Sequence, residues 1–336
     1  MFLHRRRFGT NKKKLTVVIP TYNRKVPLKE QLESLQKQGH YDEYDIIISD
    51  NHSNYDVEEM INQSFPSSFT NIISIYRRPC NVGGDMNVSL SFQLPTSEWV
   101  WLLSDDDISE INSIEIILQD IKNHENDDVC WIKYSISSPF KPNIEARFDN
   151  LVDVFNYYAE VKKATGEMVF VSNNLYRMTY LEKYLTDVCV FSDTCMSQTL
   201  LPLYAIKNDR KEVIFSSKAI TNFMPGRSGW SPIWAYLRFG SFLSITTLSL
   251  TKQEIVSFKS LPFWNSRQLI NSLAAVSSLS QRNVYFRKIL STNYSVFTFQ
   301  YIKIKLMYII MCLIGGNRWL KLVHYLHERR TKKTEA

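Results

Sequence analysis

The sequence predicts an α/β fold built on a mostly parallel sheet. Short apolar, β-branched segments alternate with helical patterns from Lys14 to Tyr134, the alternation that parallel strands with crossover helices require. Each strand-like segment ends on polar or glycine-containing residues, so T-Y-N-R, D-N-H-S, N-V-G-G-D and S-D-D-D gather at one rim, where open α/β sheets hold ligands. The apolar run from Trp99 to Leu103 then strikes three consecutive aspartates, Asp105, Asp106 and Asp107, as expected of a buried central strand ending in charge.

Taken in order, Leu15 to Pro20 reads as a central strand that the proline ends. Pro27 suits the first turn of a helix whose Leu28, Leu32 and Leu35 recur at i, i+4 and i+7, closing near Gly39. Tyr44 to Ser49 is a second strand ending on Asp50, Asp56 to Asn62 is helical, and Asn71 to Tyr76 is a third strand. Asn81 to Asp85 makes a glycine turn into a helix reaching Pro95. Beyond the acidic triplet, Ile114, Ile117, Leu118 and Ile121 mark a helix from Ile111 to Lys122, and Asp128 to Tyr134 is another strand. The turn-rich Ser138 to Asn143 is the expected boundary. After it, Val152 to Lys162 reads as a helix, and Glu167 to Arg177 as a strand that then exposes Ser172, Asn173 and Asn174.

With 336 residues, 44% of them hydrophobic, the chain can bury a sizeable core and form more than one compact part. Its five cysteines show no C-x-x-C pair, which argues against a zinc site or a disulfide framework and makes them reduced core residues. The net charge of +7 points to nucleic acid, an anionic membrane or a phosphorylated substrate. Nucleic acid is disfavoured, because acids at a central strand end repel phosphate unless a metal intervenes. Arg5, Arg6, Arg7, Lys12, Lys13 and Lys14 form a basic cluster without a following apolar stretch, so no secretory signal and a cytosolic location are expected.

Alternation along extended chain puts Asp105 and Asp107 on one side and Asp106 on the other. Two crowded carboxylates suit Mg²⁺ or Mn²⁺ and leave coordination positions for phosphate. The competing local reading is that Asp107 or Ser109 caps a helix near Ile111. No G-x-G-x-x-G follows the first strand and no P-loop occurs, so phosphate must be held another way.

The stretches V-V-I-P-T-Y-N-R (17–24), I-I-I-S-D-N-H-S (46–53), N-V-G-G-D-M-N (81–87) and W-L-L-S-D-D-D (101–107) resemble, in order and spacing, the family 2 glycosyltransferases of GT-A fold. The resemblance covers Lys14 to Tyr134. It implies a nucleoside-diphosphate sugar as donor, with Thr21, Asn23 and Asp50 at the nucleoside and Asn81, Gly83, Gly84, Asp85 and Asn87 near the sugar and diphosphate. Its D-x-D element maps to Asp105 and Asp107 as metal ligands, Asp107 foremost, with Asp105 and Asp106 also against the donor. Ser104 departs from the pattern, since many members carry aspartate there. Read locally, the first two loops also fit plain turn chemistry, and the glycines fit positive φ. The implied division is a basic tail (1–13), a nucleotide-sugar half (14–138), an acceptor-binding and catalytic-base region (139–235), and a helical region with a basic amphipathic tail (236–336).

Inverting transfer needs a base for the acceptor hydroxyl. Asp193, before an apolar helical run through Leu203, is the candidate, with Glu167 and Asp187 as rivals and a helix cap as the structural alternative. In the loop Met224 to Trp234, Arg227 suits a pyrophosphate and Trp230 or Trp234 a sugar, with packing on the main domain as the alternative. The tail's apolar run, Leu306 to Ile314, falls far short of the ~20 residues that span a bilayer, so it should lie on the membrane or pack against protein. These readings converge on metal-dependent transfer of one sugar to a glycan or undecaprenyl-diphosphate-linked oligosaccharide in bacterial surface-polysaccharide assembly. The expected place is the inner face of the cytoplasmic membrane, with a homo-oligomer contact through the C-terminal helices and no nucleic acid partner. A nucleotidylyltransferase is the competing enzyme class, but T-Y-N-R-K lacks the glycine-rich loop such enzymes place after the first strand. A basic membrane-binding protein is the non-enzymatic alternative.

Overall fold

The computed structural model describes residues 13–137, 142–162, 166–194, 196–224, 233, 236–238, 245–261, 266–293 and 299–334. The chain divides into two compact units, Met1–Gly229 and Trp230–Ala336.

The first unit opens with β1 (Leu15–Thr21), α1 (Lys25–Gln36), β2 (Tyr44–Asp50), α2 (Val57–Ser64), α3 (Ser67–Thr70), β3 (Ile73–Arg77), α4 (Gly84–Ser91) and β4 (Trp99–Leu102). It continues through β5 (Ile108–Ser109), α5 (Ser113–Asn123), β6 (Val129–Ile136), β7 (Ala146–Phe148) and α6 (Leu151–Asn156). Then come β8 (Asn174–Arg177), α7 (Met178–Leu181), α8 (Leu185–Val190), α9 (Ser197–Asp209) and β9 (Glu212–Asn222). All strands join one sheet of order β3-β2-β1-β4-β8-β6-β9-β5, with β7 also on β9. The pairs β1·β2, β1·β4, β2·β3 and β6·β9 are parallel. Strand β8 is inserted antiparallel between β4 and β6.

Strand β1 is buried on both faces because its residues pack under helices on either side, and Val17, Val18 and Ile19 are fully enclosed. Pro20 does not end this strand, which runs on to Thr21. Val18 accepts from Leu103 on the β4 side, so the amide that Pro20 lacks would also face β4, just where that pairing has stopped. A missing donor costs nothing there. Leu28, Leu32 and Leu35 of α1 are buried as their spacing requires, and Trp99, Trp101 and Ile114 belong to the same core.

The helix expected from Val152 to Lys162 forms, as α6 followed directly by a π-helical segment, Tyr157–Lys162. The next expectation fails. The stretch from Glu167 begins with a 3-10 turn (Gly166–Val169), and only Asn174–Arg177 is strand. Ser172, Asn173 and Asn174 are buried rather than exposed, because Asn173 and Asn174 enclose the ammonium of Lys133 and Ser172 turns to Asp107. Lys133 Nζ donates to Asn173 Oδ1 at 2.8 Å, Asn174 Oδ1 at 2.9 Å and the Phe170 carbonyl at 3.3 Å. Burial pushes its pKa well below the ordinary lysine value, against the opposing pull of Glu167. Of the cysteines, Cys130 is a core residue as expected, whereas Cys80 is exposed.

The second unit is helical: α10 (Lys252–Ser260), α11 (Ser266–Ala274), α12 (Leu279–Asn293), α13 (Phe299–Ile314) and α14 (Gly316–Thr334). Thr251 and Glu254 close a capping box at the start of α10. Phe286 stacks on Tyr308, and Trp319 Nε1 donates to Asn271 Oδ1 at 2.9 Å, tying α12 to α13 and α11 to α14.

Candidate active site

Four loops meet beyond the C-terminal ends of β1, β2, β3 and β4. The acidic triplet follows β4 in a turn rather than in extended chain, so strand alternation does not reach it; Asp105 and Asp107 are nevertheless buried, while Asp106 is partly open. Thr21 Oγ1, from the end of β1, donates to Asp105 Oδ2 at 2.6 Å. Ser172 Oγ, just before β8, donates to Asp107 Oδ2 at 2.5 Å and accepts from the Ser104 amide at 2.9 Å. Ser104, the departure from the family pattern, donates to Asp106 Oδ1 at 2.5 Å. Arg24 Nη1 reaches Asp106 Oδ2 at 3.1 Å, and its Nε stands 3.9 Å from Asp105 Oδ1. Neither Asp107 nor Ser109 caps a helix, since α5 starts at Ser113 and Ser109 lies in β5.

Burial dominates the electrostatics. It pushes the carboxyls of Asp105 and Asp107 each up to about 7, the charge of Asp106 adding to the rise while the hydroxyls of Thr21 and Ser172 oppose it. Two desolvated acids beside a third carboxylate make a net negative pocket with oxygen donors only. That set fits a hard divalent cation. Among the described residues no group of three His, Cys, Asp or Glu side chains converges on one metal position. Asp105 and Asp107 would therefore supply only part of a coordination sphere and leave the remainder to phosphate or water.

The second loop is braced by its own acid. Asp50 is fully buried and accepts from the Ser53 amide at 2.9 Å through Oδ1 and from Arg77 Nη1 at 2.8 Å through Oδ2. It shapes the D-N-H-S turn, while Arg77 remains partly exposed at its edge. Asn23 takes the left-handed conformation (φ 55°), which asparagine tolerates, and its Oδ1 accepts from the Asn54 amide at 2.7 Å, joining the first and second loops. Asn51 joins the second to the third: its Nδ2 donates to Asn81 Oδ1 at 2.8 Å and its Oδ1 accepts from the Val82 amide at 2.9 Å.

Gly83 precedes α4 at φ 88° and ψ 155°, a conformation essentially confined to glycine, and open space lies beside both Gly83 and Gly84. Asn87 does not face that space. It is buried against Arg78, whose Nε donates to its Oδ1 at 2.6 Å, and against Ser49.

The base candidates fall differently. Glu167 is buried in an ion pair with Lys162 at 2.6 Å, which removes it as a free proton acceptor. Asp187 lies in the first turn of α8. The backbone of Asp193 lies in the 3-10 turn Ser192–Thr194 just before α9, and its side chain lies outside the described residues. So do Arg227, Trp230 and Trp234, and the basic cluster from Arg5 to Lys12.

Residues without a role assigned from the motifs complete the rim. Arg24 and Asn51 stand inside the quoted stretches and Ser172 was expected only as an exposed polar residue, while Arg77 at the end of β3 and Tyr55 lay outside every motif. The Tyr55 hydroxyl is buried close to Ser53 and Thr21, and burial together with the charges of Asp50 and Asp105 pushes it up to about 12 against the opposing pull of those two hydroxyls. A cavity of about 410 Å³ lined by Lys14, Ser97 and Glu98 lies at the opposite ends of β1 and β4, away from every one of these groups.

Residues 16–185 match the family described as Glycosyl transferase family 2. The chain is 31% identical over 185 residues to the abequosyltransferase RfbV of Salmonella typhimurium, covering 53% of this chain and 50% of that protein. It thus spans about half the length of that relative. Among solved structures, S. aureus TarS 1-349 in complex with UDP superposes with a TM-score of 0.56 at 16% identity, covering 88% of each chain. The mannosyltransferase PcManGT from Pyrobaculum calidifontis, in complex with GDP-Man and Mn²⁺, superposes with a TM-score of 0.53 at 14% identity over 91% of this chain and 87% of that one. The family match begins inside β1 and ends in α8, so it takes in all four rim loops and the strand behind Ser172. On that extent the chain belongs to glycosyl transferase family 2 and carries the GT-A fold.

Proposed function

We propose that the protein is an inverting, metal-dependent glycosyltransferase that moves a single sugar from a nucleoside-diphosphate sugar to a hydroxyl of a glycan or an undecaprenyl-diphosphate-linked oligosaccharide. The observation that carries this reading is the buried pair Asp105 and Asp107, held by Thr21 and Ser172 at the end of the central parallel strands. Mn²⁺ or Mg²⁺ bound there would act as a Lewis acid for the departing diphosphate.

The chain's own residues divide the remaining work. Thr21 and Ser172 keep one oxygen of each acid occupied and so fix the carboxylate planes. Arg24 stands beside the triplet as a fixed positive charge. The open space at Gly83 and Gly84 leaves room for diphosphate or sugar against the backbone at the start of α4. The first two loops, cross-braced by Asn23 and Ser53, offer the nucleoside a preformed edge bounded by Arg77. Asp193 is the proposed base. It takes the proton of the acceptor hydroxyl as that oxygen bonds to the anomeric carbon, while the carbon–oxygen bond to the diphosphate breaks and its electron pair leaves with the nucleotide.

Kinship with an abequosyltransferase supports a role in bacterial O-antigen or capsule assembly, at the inner face of the cytoplasmic membrane. The deciding experiment is a screen of UDP-, GDP-, CDP- and dTDP-sugars with the purified chain and Mn²⁺. One nucleotide class should give transfer or slow donor hydrolysis that EDTA abolishes. Full turnover in EDTA would overturn the metal assignment, and nucleotide binding without any transfer would leave a binding protein.

A further inference from the structure

Helix α13 has two apolar faces, and only one of them is used within its own unit. Ile304, Tyr308 and Met311 are buried, and the Tyr308 hydroxyl donates to Asn283 Oδ1 at 2.7 Å. Phe299, Ile302, Leu306, Ile309, Ile310 and Leu313 are exposed, the first and last by 82% and 80%. At 3.6 residues per turn these six fall within an arc of about 100°, opposite the buried face. Lys303 and Lys305 stand exposed at the two borders of that arc.

The neighbouring helix extends the pattern. Gly315, at φ 85°, ends α13, and a Cβ at Gly316 would come within 2.6 Å of the Ala274 carbonyl oxygen, so the chain turns by 109° against α11. Beyond the turn α14 exposes Leu322 and Tyr325 beside Arg318 and Lys321. From Phe299 to His327 the sequence contains no Asp or Glu.

A stripe of this size calls for a cover. A second copy would set one lysine-edged face against another with no carboxylate to compensate. Anionic headgroups instead supply negative charge along the borders and apolar depth between them, and lysine stems can reach along the apolar surface to the phosphates. No single described helix is long and apolar enough to span a bilayer; α13 and the start of α14 reach that length only together, and they are bent by 109° about Gly315.

We propose that α13 lies in the plane of an anionic lipid surface, its six exposed apolar side chains inserted below the headgroups and Lys303, Lys305, Arg318 and Lys321 on lipid phosphates. This rests on the second unit alone and stands whether or not the sugar-transfer reading is right.

The test is co-sedimentation of the full chain with phosphatidylglycerol/phosphatidylethanolamine vesicles, against pure phosphatidylcholine vesicles. The wild type should bind the anionic vesicles, at least tenfold less at about 0.5 M NaCl, where charges are screened beyond a few Å. Ile309→Asn with Leu313→Asn should weaken binding at least tenfold, and Lys303→Gln with Lys305→Gln should lower it on anionic vesicles only. Unchanged circular dichroism and Tm show that the variants fold, and the lysine pair tests the proposal if the asparagine pair does not. Vesicle binding equal to wild type in folded variants would overturn it. So would a lipid-free dimer split by Ile309→Asn with Leu313→Asn, which assigns the stripe to a second copy, or retention through alkaline carbonate extraction, which assigns it to a span.

Discussion

At the scale of single residues, the site turns on two acids that burial would rather keep neutral. Their carboxyls titrate near 7 without a cation, above the ordinary aspartate value of the unfolded chain. A raised folded-state pKa means that the native state holds more protons between these limits, so stability from this source is full at low pH and is lost as pH rises through 7. A divalent cation reverses the balance by replacing those protons. The Tm of metal-free protein should therefore lose this contribution between about pH 4 and 7, from the ordinary aspartate value to the raised one, while the Tm increment given by Mn²⁺ grows over the same interval; differential scanning fluorimetry at several pH values reads both. Asp107→Asn should leave the fold intact and cut turnover at least ~100-fold, since Lewis-acid stabilisation is worth several kcal/mol. Ser172→Ala should weaken Mn²⁺ binding about tenfold, the usual cost of losing a hydrogen bond to a metal-holding carboxylate; isothermal titration measures it. The triplet was legible in the residues because charge after an apolar run is conspicuous. Ser172 as its partner was not, because nothing local links residues 65 positions apart.

At the scale of elements, loops that look like ordinary turns prove to be braced against one another. Asn23, Asn51 and Asp50 each spend side-chain oxygens on backbone amides of loop residues. Such residues announce a turn in any sequence, and only the fold shows that three turns share one frame. Gly83 is the point where this frame depends on backbone freedom: a side chain at φ 88° and ψ 155° costs about 1–3 kcal/mol. Gly83→Val should lower Tm and raise the nucleotide Kd at least tenfold by filling the open space beside α4. The strand expected from Glu167 onward was misplaced for a related reason. Lys133 sits in a fully buried strand, where a lysine is rare, and its need for acceptors folds the Phe170 to Asn174 segment around it. Lys133→Met should strand those oxygens and cost on the order of 3 kcal/mol in urea unfolding.

At the scale of the whole molecule, strand and helix alternation up to Tyr134 correctly indicated a sheet of this class, because local periodicity carries that information. The later insertion of β8 was hidden, since a strand read between Glu167 and Arg177 carries no local sign of its neighbours, and β9 beyond it was not read as a strand at all. The place of β8 between β4 and β6 makes the expected border near residue 138 run through the interior of one sheet. A fragment 1–138 should fail to bind sugar nucleotide and should aggregate, because β4 and β6 would each lack the strand between them; gel filtration of the expressed fragment checks this. The same seam has a meaning for biogenesis. As the polypeptide leaves the ribosome, the carboxylate pocket can take shape only after β8 has emerged, so the earlier strands must wait with unpaired edges, and a chaperone that shields them would act in that interval.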